Sequence, residues 1–297
     1  MTTTWLITGA AGMLGRDLLT RLRRDGEEAV GLARGSLDIT DADTVHGTID
    51  AHRPRIVVNC AAWTAVDDAE AREADALRIN GDGPRHLAEA CAKTGARLIQ
   101  VSTDYVFAGD GTRPYAEDAP TAPRSAYGRT KLAGEQAVLA TLPDTGYAVR
   151  TAWLYGAEGG NFIDTMIGLE SVKETVDVVD DQRGQPTWTV DLADRLVRLG
   201  QAALAGTAPA GIYHGTSGGE TTWYGLAQEI FRLLGTDPGR VRPTTSTAFP
   251  RPAPRPAYSV LGHDRWRRAG MEPIRPWREA LQAAFPALLD EKKGSTR

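Results

Sequence analysis

The first half of the chain alternates short apolar runs with amphipathic helical patterns, and this alternation restricts the fold more than any other feature. The apolar runs lie at residues 5–8, 29–32, 56–59, 98–102 and 147–150, and the helical patterns between them lie at 13–24, 45–51, 77–93 and 127–139. Strands and helices that alternate at this spacing form a parallel sheet with helices on both faces. The sequence therefore predicts an α/β fold with a doubly wound parallel sheet.

Three glycines lie at the junction between the first apolar run and the first helical pattern. Gly9, Gly12 and Gly15 form the pattern Gly-x-x-Gly-x-x-Gly, with Met13 and Leu14 between the last two. Glycine lets the backbone turn tightly and approach a pyrophosphate, whose charge meets the free amides and positive dipole end of the helix. Between a strand and a helix, this pattern is typical of a Rossmann-type dinucleotide site. The alternative is a tight strand-to-helix turn.

The residues after the second apolar run indicate which dinucleotide is bound. This run ends at Arg34 without the carboxylate that binds an adenosine 2′-hydroxyl in NAD sites. Arg34 is instead predicted to meet the 2′-phosphate of NADPH, with NADH as the second option and a solvated loop arginine as the alternative. Asp38 and Ile39 resemble a pair that contacts adenine, although Asp38 also suits the cap of a helix beginning near Thr40.

Small residues follow the third apolar run, where a dinucleotide would pass close to the backbone. Cys60, Ala61 and Ala62 stand there, and bulky side chains would block the approach. Cys60 and Cys91 belong to no Cys-x-x-Cys or Cys/His cluster, so both are expected to be buried apolar fillers. The five histidines are scattered singly. No metal site is predicted.

Tyr127 and Lys131 lie four positions apart in a helical pattern, a spacing that places two side chains on one helix face. Lys131 is therefore expected beside the Tyr127 hydroxyl. A nearby ammonium favours the phenolate and pulls the tyrosine pKa down from about 10. The pair is predicted to act as a general acid/base, although the same spacing arises by chance in roughly one such chain in ten.

Beyond Thr151 the pattern of elements changes, and it predicts a second domain. Helices are expected near 162–169, 191–204, 222–234 and 276–289, strands near 175–179 and 212–215, and a disordered tail at 291–297. We expect a Rossmann-type domain at 1–155, to which the chain returns around 180–200, and a smaller C-terminal α/β domain, mainly for substrate binding, at 156–297. Five prolines between residues 243 and 256 exclude regular structure there and predict a loop that wraps over a site.

Charge and hydropathy exclude several classes of partner. The net charge is −4 with interspersed signs, which gives no basic field for nucleic acid and no polybasic stretch for an anionic membrane. No apolar stretch approaches the roughly 20 residues that span a bilayer, and the first residues show no signal-peptide pattern. The expected location is the cytoplasm.

Together these residues resemble the extended short-chain dehydrogenase/reductase family and, within it, the dTDP-4-dehydrorhamnose reductase group. The resemblance runs from Gly9 to about Leu261. Its most specific segments are 57–67, 101–107, 125–135, 150–155, 181–187 and 255–261. The resemblance implies NADPH-dependent reduction of the C4 ketone of a dTDP-linked 4-keto-6-deoxyhexose, above all dTDP-4-dehydrorhamnose to dTDP-L-rhamnose.

The resemblance also assigns roles to individual residues. Tyr127 would be the general acid, Lys131 would lower its pKa and hold the nicotinamide ribose, and Thr103 would hydrogen-bond the carbonyl oxygen. Preplaced donors of this kind stabilise the negative charge that grows on the oxygen as hydride arrives. Asn80 would contact the cofactor. Substrate contacts are expected from Thr64, Val66, Asp67, Ser102, Asp104, Tyr105, Trp153, Asn161, Gln182 and Arg255.

Several of these substrate residues have a simpler interpretation. Tyr105 and Trp153 also suit core aromatics with satisfied polar tips, and Asp104 also suits a turn. Arg255 follows the proline-rich stretch and is expected to meet the substrate pyrophosphate, with a solvated surface arginine as the alternative.

Two positions depart from the family pattern. Trp63 stands where many members carry histidine or tyrosine, so the sugar pocket is expected to differ in shape. Val190 stands where some relatives place a glutamate of a metal bridge between subunits, and an apolar side chain cannot ligate a hard cation. A monomer or a weak homodimer without that metal is therefore predicted.

Three other functions compete with rhamnose formation. One is a 4-ketoreductase for another activated deoxysugar, including the dihydrostreptose type of antibiotic pathways, with Trp63 and Trp188 expected to orient the sugar. Another is a catalytically silent, NADP-binding regulatory subunit, which the intact Thr103, Tyr127 and Lys131 argue against. A third is an epimerase or dehydratase, but dehydratases of the superfamily usually follow the active-site threonine with Asp-Glu, whereas Tyr105 follows Asp104 here.

Overall fold

The structure is a computed structural model that describes residues 4–295. Its strands are β1 (Trp5–Thr8), β2 (Ala29–Leu32), β3 (Ile56–Asn59), β4 (Arg97–Thr103), β5 (Gly146–Thr151), β6 (Leu154–Tyr155), β7 (Val176–Val179), β8 (Arg183–Gly184), β9 (Thr187–Trp188), β10 (Gly211–His214), β11 (Ser217–Gly218), β12 (Thr221–Thr222), β13 (Val241–Thr244) and β14 (Ile274–Pro276). Its α-helices are α1 (Met13–Arg24), α2 (Ala42–His52), α3 (Val66–Ala71), α4 (Glu73–Leu77), α5 (Gly83–Thr94), α6 (Ala126–Thr141), α7 (Phe162–Glu170), α8 (Thr189–Leu204), α9 (Trp223–Leu233), α10 (Asp264–Arg268) and α11 (Trp277–Ser295).

Six strands form a parallel sheet in the order β2-β1-β3-β4-β5-β10. The second and third strands of the chain lie on opposite sides of β1, so the direction of winding reverses there. Trp5 is paired with Ala29 on one side and with Ile56 on the other. Ligands of open α/β sheets bind outside the carboxyl ends of the strands at such a switch point. The predicted doubly wound α/β fold is confirmed.

Alternation along the strands buries both faces of the sheet. Trp5 and Ile7 pack with α1 and α8, whereas Leu6 points to the opposite face and packs with α2, α5 and α6. All three side chains are completely buried. Burying an aliphatic side chain of this size contributes about 1.5–3 kcal/mol. The two layers of helices hold the carboxyl edge of the sheet in place.

A further core lies in the C-terminal half, where α7, α9 and α11 pack against β7 and β13 through residues such as Ile163, Phe231 and Leu281. Within this half, however, the chain also returns to the sheet. Helix α8 and strand β10 join the core around Trp5, and Trp266 joins it as well. This return reaches beyond residue 200. The domain boundary at residue 155 stays a prediction.

Several elements differ from those expected from the sequence. The segment Arg78–Asp82 is a π-helix that interrupts the helix predicted at 77–93. Such one-turn π segments often lie at functional sites. The proline-rich stretch contains β13, which pairs with β7 alone, and a proline is tolerated in a strand paired on one side only. A short 3₁₀ turn follows at Ser246–Ala248, so the exclusion of regular structure was wrong.

The chain end also differs from the expectation, since α11 continues to Ser295, five residues into the segment predicted to be disordered. Glutamate and lysine are good helix formers, which accounts for the continuation. Residues 296–297 lie outside the described residues. Within residues 4–295, none of the helices has the length and apolar character needed to cross a bilayer.

Candidate active site

A cleft of about 830 Å³ opens at the carboxyl ends of β1, β3, β4 and β5, where the direction of winding reverses. Its size lies within the range of small-molecule and cofactor sites. One end is lined by the glycine loop after β1, and the other by side chains that follow β4 and β5 and begin α6 and α9.

The glycine loop packs so closely on its neighbours that side chains are excluded. Gly9 has a φ of +64°, and a Cβ there would lie 2.6 Å from the backbone nitrogen of Ala61. A Cβ on Gly15 would lie 2.5 Å from the carbonyl oxygen of Gly9. Gly12 is different, because its Cβ would meet only that oxygen, at 3.3 Å. Gly12 precedes α1 without a side-chain cap, so the amides at the start of this helix face the cleft lined by Gly12 and Met13.

The residues predicted to meet the adenosine end line the same cleft. Arg34, Asp38 and Ile39 all contribute, and Arg34 also lines an adjoining polar pocket of about 260 Å³. Asp38 accepts hydrogen bonds from the backbone and hydroxyl of Thr40 at 2.9 and 2.8 Å, which lower its pKa. Asp41, not Asp38, caps α2.

The segment after β3 has small side chains, and hydrogen bonds from a neighbouring element hold its backbone in place. Cys60, Ala61 and Ala62 line the cleft, and burial raises the pKa of the Cys60 thiol to about 12, so it is uncharged. Asn80 does not line the cleft. Its side chain accepts a hydrogen bond from the Trp63 amide at 2.8 Å and donates to the Trp63 carbonyl and the Thr130 hydroxyl, both at 3.1 Å. Asn80 therefore fastens this segment to α6.

Helix α6 brings Tyr127 and Lys131 to the cleft, where Thr103 at the end of β4 also lies. The helix begins after Ser125, whose hydroxyl accepts the Gly128 amide at 3.1 Å. Its position is fixed because Gly128 packs against the carbonyl of Tyr105, so closely that a Cβ would lie 2.3 Å away. The three predicted catalytic residues thus share one cleft.

Burial is the largest cause of the pKa shifts of Tyr127 and Lys131. The Lys131 ammonium donates to the carbonyl oxygen of Val101 at 2.6 Å, and burial lowers its pKa to about 8. Burial raises the pKa of Tyr127 to about 12, and its hydrogen bond with Thr103 offsets only part of this rise. The expectation that the Tyr127 pKa lies below its usual value is therefore wrong for this structure, whereas the effect of Lys131 on that pKa stays a prediction. A phenol with a raised pKa keeps its proton at neutral pH, as a general acid must.

The residues after Thr103 pack tightly beside the tyrosine. Asp104 is 3% exposed and accepts a hydrogen bond from the Thr103 hydroxyl at 3.0 Å. Burial raises its pKa to about 6. The ring of Tyr105 meets that of Tyr127 edge to face, with 5.6 Å between centroids. Both Asp104 and Tyr105 line the cleft.

Two stacked tryptophans form the far wall. The rings of Trp153 and Trp223 are 3.6 Å apart and nearly parallel, at 9°. Trp153 has a φ of +48°, a left-handed conformation that costs a bulky residue about 1–3 kcal/mol. Sequence reasoning missed Trp223, which begins α9 some 70 residues after Trp153. The only local signal there is Thr222, a helix cap that identifies the element and not the cleft.

The remaining predicted substrate residues fall into two groups. Thr64, Val66 and Ser102 line the cleft. Four others lie outside its lining: Asp67, Asn161, Gln182 and Arg255. Asp67 and Arg255 form an ion pair at 2.8 Å, and Gln182 accepts a hydrogen bond from the Trp223 indole at 3.2 Å. Asn161 caps α7 and accepts the amides of residues 163 and 164, a structural role.

The two positions that depart from the family pattern, Trp63 and Val190, lie outside the cleft lining, and so does Trp188. Trp63 lines the adjoining polar pocket beneath the Arg72 guanidinium, which is 4.7 Å from its ring centre. Trp188 packs in the C-terminal core with Arg275 above it. Trp188 lines neither pocket, so the expectation that it orients the sugar is wrong for this structure; the same expectation for Trp63, between Ala62 and Thr64 of the cleft lining, stays a prediction. Val190 is 38% exposed, and residues 4–290 hold no group of three potential metal ligands.

Known proteins resemble this chain over nearly its whole length. A family profile described as "RmlD substrate binding domain" matches residues 3–289. A "dTDP-4-dehydrorhamnose reductase" of Streptomyces griseus is 65% identical over 96% of this chain and 93% of its own. A "dTDP-4-keto-6-deoxy-D-glucose reductase" of Streptomyces niveus is 58% identical over 97% of this chain and 98% of its own.

A solved structure gives the same result in three dimensions. The dTDP-4-dehydrorhamnose reductase of Bacillus anthracis, crystallised in complex with NADP, superposes with a TM-score of 0.90 and 37% identity. The match covers 96% of this chain and 99% of that one. The chain therefore belongs to the dTDP-4-dehydrorhamnose reductase family.

Proposed function

We propose that this protein is an NADPH-dependent reductase of the C4 ketone of a dTDP-linked 4-keto-6-deoxyhexose, with dTDP-4-dehydrorhamnose as substrate and dTDP-L-rhamnose as product. The observation that carries the proposal is the meeting of Thr103, Tyr127 and Lys131 in a cleft that begins at the glycine loop. The names of the relatives from Streptomyces griseus and Bacillus anthracis support the substrate.

The residues at the glycine end fit a nicotinamide dinucleotide. Close packing leaves no room for a side chain at Gly9 or Gly15. The absence of a side chain at Gly12 leaves the start of α1 open to a pyrophosphate. Arg34 would pair with a 2′-phosphate, which favours NADPH over NADH. Lys131 would hold the nicotinamide ribose, and Tyr127 would contact the cofactor through its ring. When bound, the cofactor supplies the hydride.

The chain's own residues supply the proton and stabilise charge. As C4 is reduced, negative charge grows on its oxygen, and the Tyr127 and Thr103 hydroxyls are the donors that meet it. For this the Thr103 hydroxyl turns away from Asp104, to which it otherwise donates. The Tyr127 phenol then transfers its proton to that oxygen and completes the alcohol. Lys131, with a pKa of about 8, is mainly an ammonium at neutral pH, and its charge offsets that of the resulting phenolate.

The test is NADPH oxidation with dTDP-4-keto-6-deoxyglucose, supplied with and without a 3,5-epimerase. The proposal predicts turnover only with the epimerase, and a product identical to dTDP-L-rhamnose by NMR. The Tyr127→Phe variant serves as the matched control for background oxidation. Absence of turnover in both reactions would contradict the proposal and would favour the silent regulatory subunit if NADPH still bound tightly.

A second candidate is a 4-ketoreductase that acts on the sugar before epimerisation. The Streptomyces niveus relative, whose name specifies a dTDP-4-keto-6-deoxy-D-glucose reductase, favours it. Turnover without the epimerase would support this candidate over rhamnose formation.

A further inference from the structure

The stacked tryptophans of the far wall come from distant parts of the chain. Trp153 follows β5, at the carboxyl edge of the sheet that also carries Thr103. Trp223 is the first residue of α9, which packs in the C-terminal core. Both rings line the cleft that holds Tyr127. The wall therefore depends on how the C-terminal core meets the sheet.

The conformation of Trp153 depends on these neighbours. Its φ of +48° is a genuine outlier for a bulky residue, and such conformations persist only where surrounding contacts over-determine them. Trp223 contacts the ring by stacking. Gly184 contacts it as well, because a Cβ at this position would lie 2.6 Å from Cε2 of the indole. Without Trp223, one of these two supports is lost.

Trp223 is itself held by polar and aromatic contacts. Its indole nitrogen donates to Oε1 of Gln182 at 3.2 Å, and the Gln182 amide donates to the Ser246 hydroxyl at 2.7 Å. The ring of Phe162 lies 4.6 Å from that of Trp223. Residues outside the cleft thus fix the orientation of the Trp223 ring. Because the Trp153 ring stacks on it, the orientation of Trp153 is fixed as well.

A planar ketone can be reduced from either face, so the configuration of the product depends on how the sugar ring is presented. The electron-rich face of an indole attracts polarised C–H groups, and one face of a hexose presents such groups. We propose that Trp223 is a positioning residue, which holds Trp153 as a flat wall for the hexose and thereby fixes the face of the C4 carbonyl that is reduced. This inference rests on the proposed function.

The test compares four proteins: wild type, Trp223→Ala, Trp223→Phe and Trp188→Phe. For Trp223→Ala we expect kcat/KM for the sugar to fall about 10- to 100-fold, as for a small misplacement of a reacting group. We also expect both C4 epimers in the product by NMR, with the Kd of NADPH unchanged. Trp223→Phe keeps an aromatic plane and should restore a single epimer. Trp188→Phe removes a core indole outside the cleft and should behave as wild type.

Circular dichroism supplies a readout independent of turnover, because stacked indoles couple their transitions. The coupling signal should vanish in Trp223→Ala and persist in Trp188→Phe. If Trp223→Ala fails to fold, Trp223→Leu, which retains more of the volume but no aromatic plane, should give the same epimer mixture. An active variant of either kind with wild-type sugar kinetics and a single epimer would overturn the inference alone. A wild type without turnover would contradict the proposed function and this inference together.

Discussion

The two ends of the cleft are built in different ways. The glycine end consists mainly of backbone and small residues at two neighbouring strand ends, with Gly9 packed against Ala61. The sugar end consists of large side chains from four separate segments, among them Tyr127, Trp153 and Trp223. A site made of backbone needs only the right local turn, whereas a site made of side chains needs the whole fold. Substitutions should therefore separate cofactor binding from chemistry.

The largest expected effect is that of Tyr127→Phe, which changes the sugar end alone. Loss of the proton donor should lower kcat by about 10²–10⁴ and leave the Kd of NADPH nearly unchanged, since the ring remains. Steady-state kinetics and fluorescence titration measure the two quantities. Tyr147→Phe is the matched control, because the Tyr147 hydroxyl donates to the Ala208 carbonyl within the buried core. Full turnover of Tyr127→Phe would remove Tyr127 as the acid.

The glycine end is tested by two neighbouring substitutions. Gly12→Ala places a Cβ at the open side of the loop, and a steric cost of about 1–3 kcal/mol should raise the Kd of NADPH about 10- to 100-fold. Its thermal stability should hardly change. Gly15→Ala should instead lower the free energy of unfolding, because its Cβ would meet backbone at 2.5 Å. Equal effects of both substitutions on stability and affinity would contradict this division of roles.

Asp104 at the sugar end and Asp38 at the glycine end make the free energy of unfolding depend on pH in opposite directions. The folded pKa of Asp104, about 6, lies above its ordinary value of 3.8, so the folded state retains a proton that the unfolded state has released. Stability therefore falls as the pH rises between these values and stays lower above them. Asp104→Asn should raise the free energy of unfolding at pH 7, relative to wild type, by roughly 2–3 kcal/mol.

Asp38 is the counterpart at the glycine end, because hydrogen bonds from Thr40 lower its pKa. Its contribution is present above pH 3.8 and is lost as the pH falls through its folded pKa. Urea unfolding measures the two slopes, below pH 3.8 for Asp38→Asn and between pH 4 and pH 7 for Asp104→Asn. A difference curve for Asp104→Asn that is flat over this range would show that burial does not perturb Asp104.

The smallest expected effect is that of Arg34→Ala. Loss of one charge-assisted contact should narrow the preference for NADPH over NADH about tenfold and leave the KM for the sugar unchanged. Comparison of kcat/KM for the two cofactors measures it. Arg23→Ala, which removes an exposed arginine at the end of α1, is the control. An unchanged preference would return Arg34 to a solvated loop residue.

The same difference explains what could be predicted from the sequence. The first strand and helix, Trp5–Thr8 and Met13–Arg24, have the predicted bounds because local periodicity and the glycines between them define both elements. The same alternation predicted the parallel sheet with helices on both faces, but not the order of its strands. A turn made of backbone depends on residues that are close in sequence, so the glycine loop could be predicted from the sequence.

The sugar end could be predicted only in part, because its lining and the protonation of its side chains depend on how distant segments pack. Tyr127 and Lys131 were identified by their spacing, but the burial that dominates their pKa shifts is not a local feature. Trp223 reaches the cleft only through the position of α9. Asn161 matched the family pattern, but the structure uses it as a helix cap.

The most direct test of the central claim follows deuterium from NADPH labelled at C4 of the nicotinamide ring. The account predicts one deuterium at C4 of the sugar product for the wild type. For Tyr127→Phe it predicts almost none over the same time, although this variant still binds NADPH. Deuterium at another carbon, or a sugar that changes configuration while NADPH is not consumed, would contradict a 4-ketoreductase and favour an epimerase.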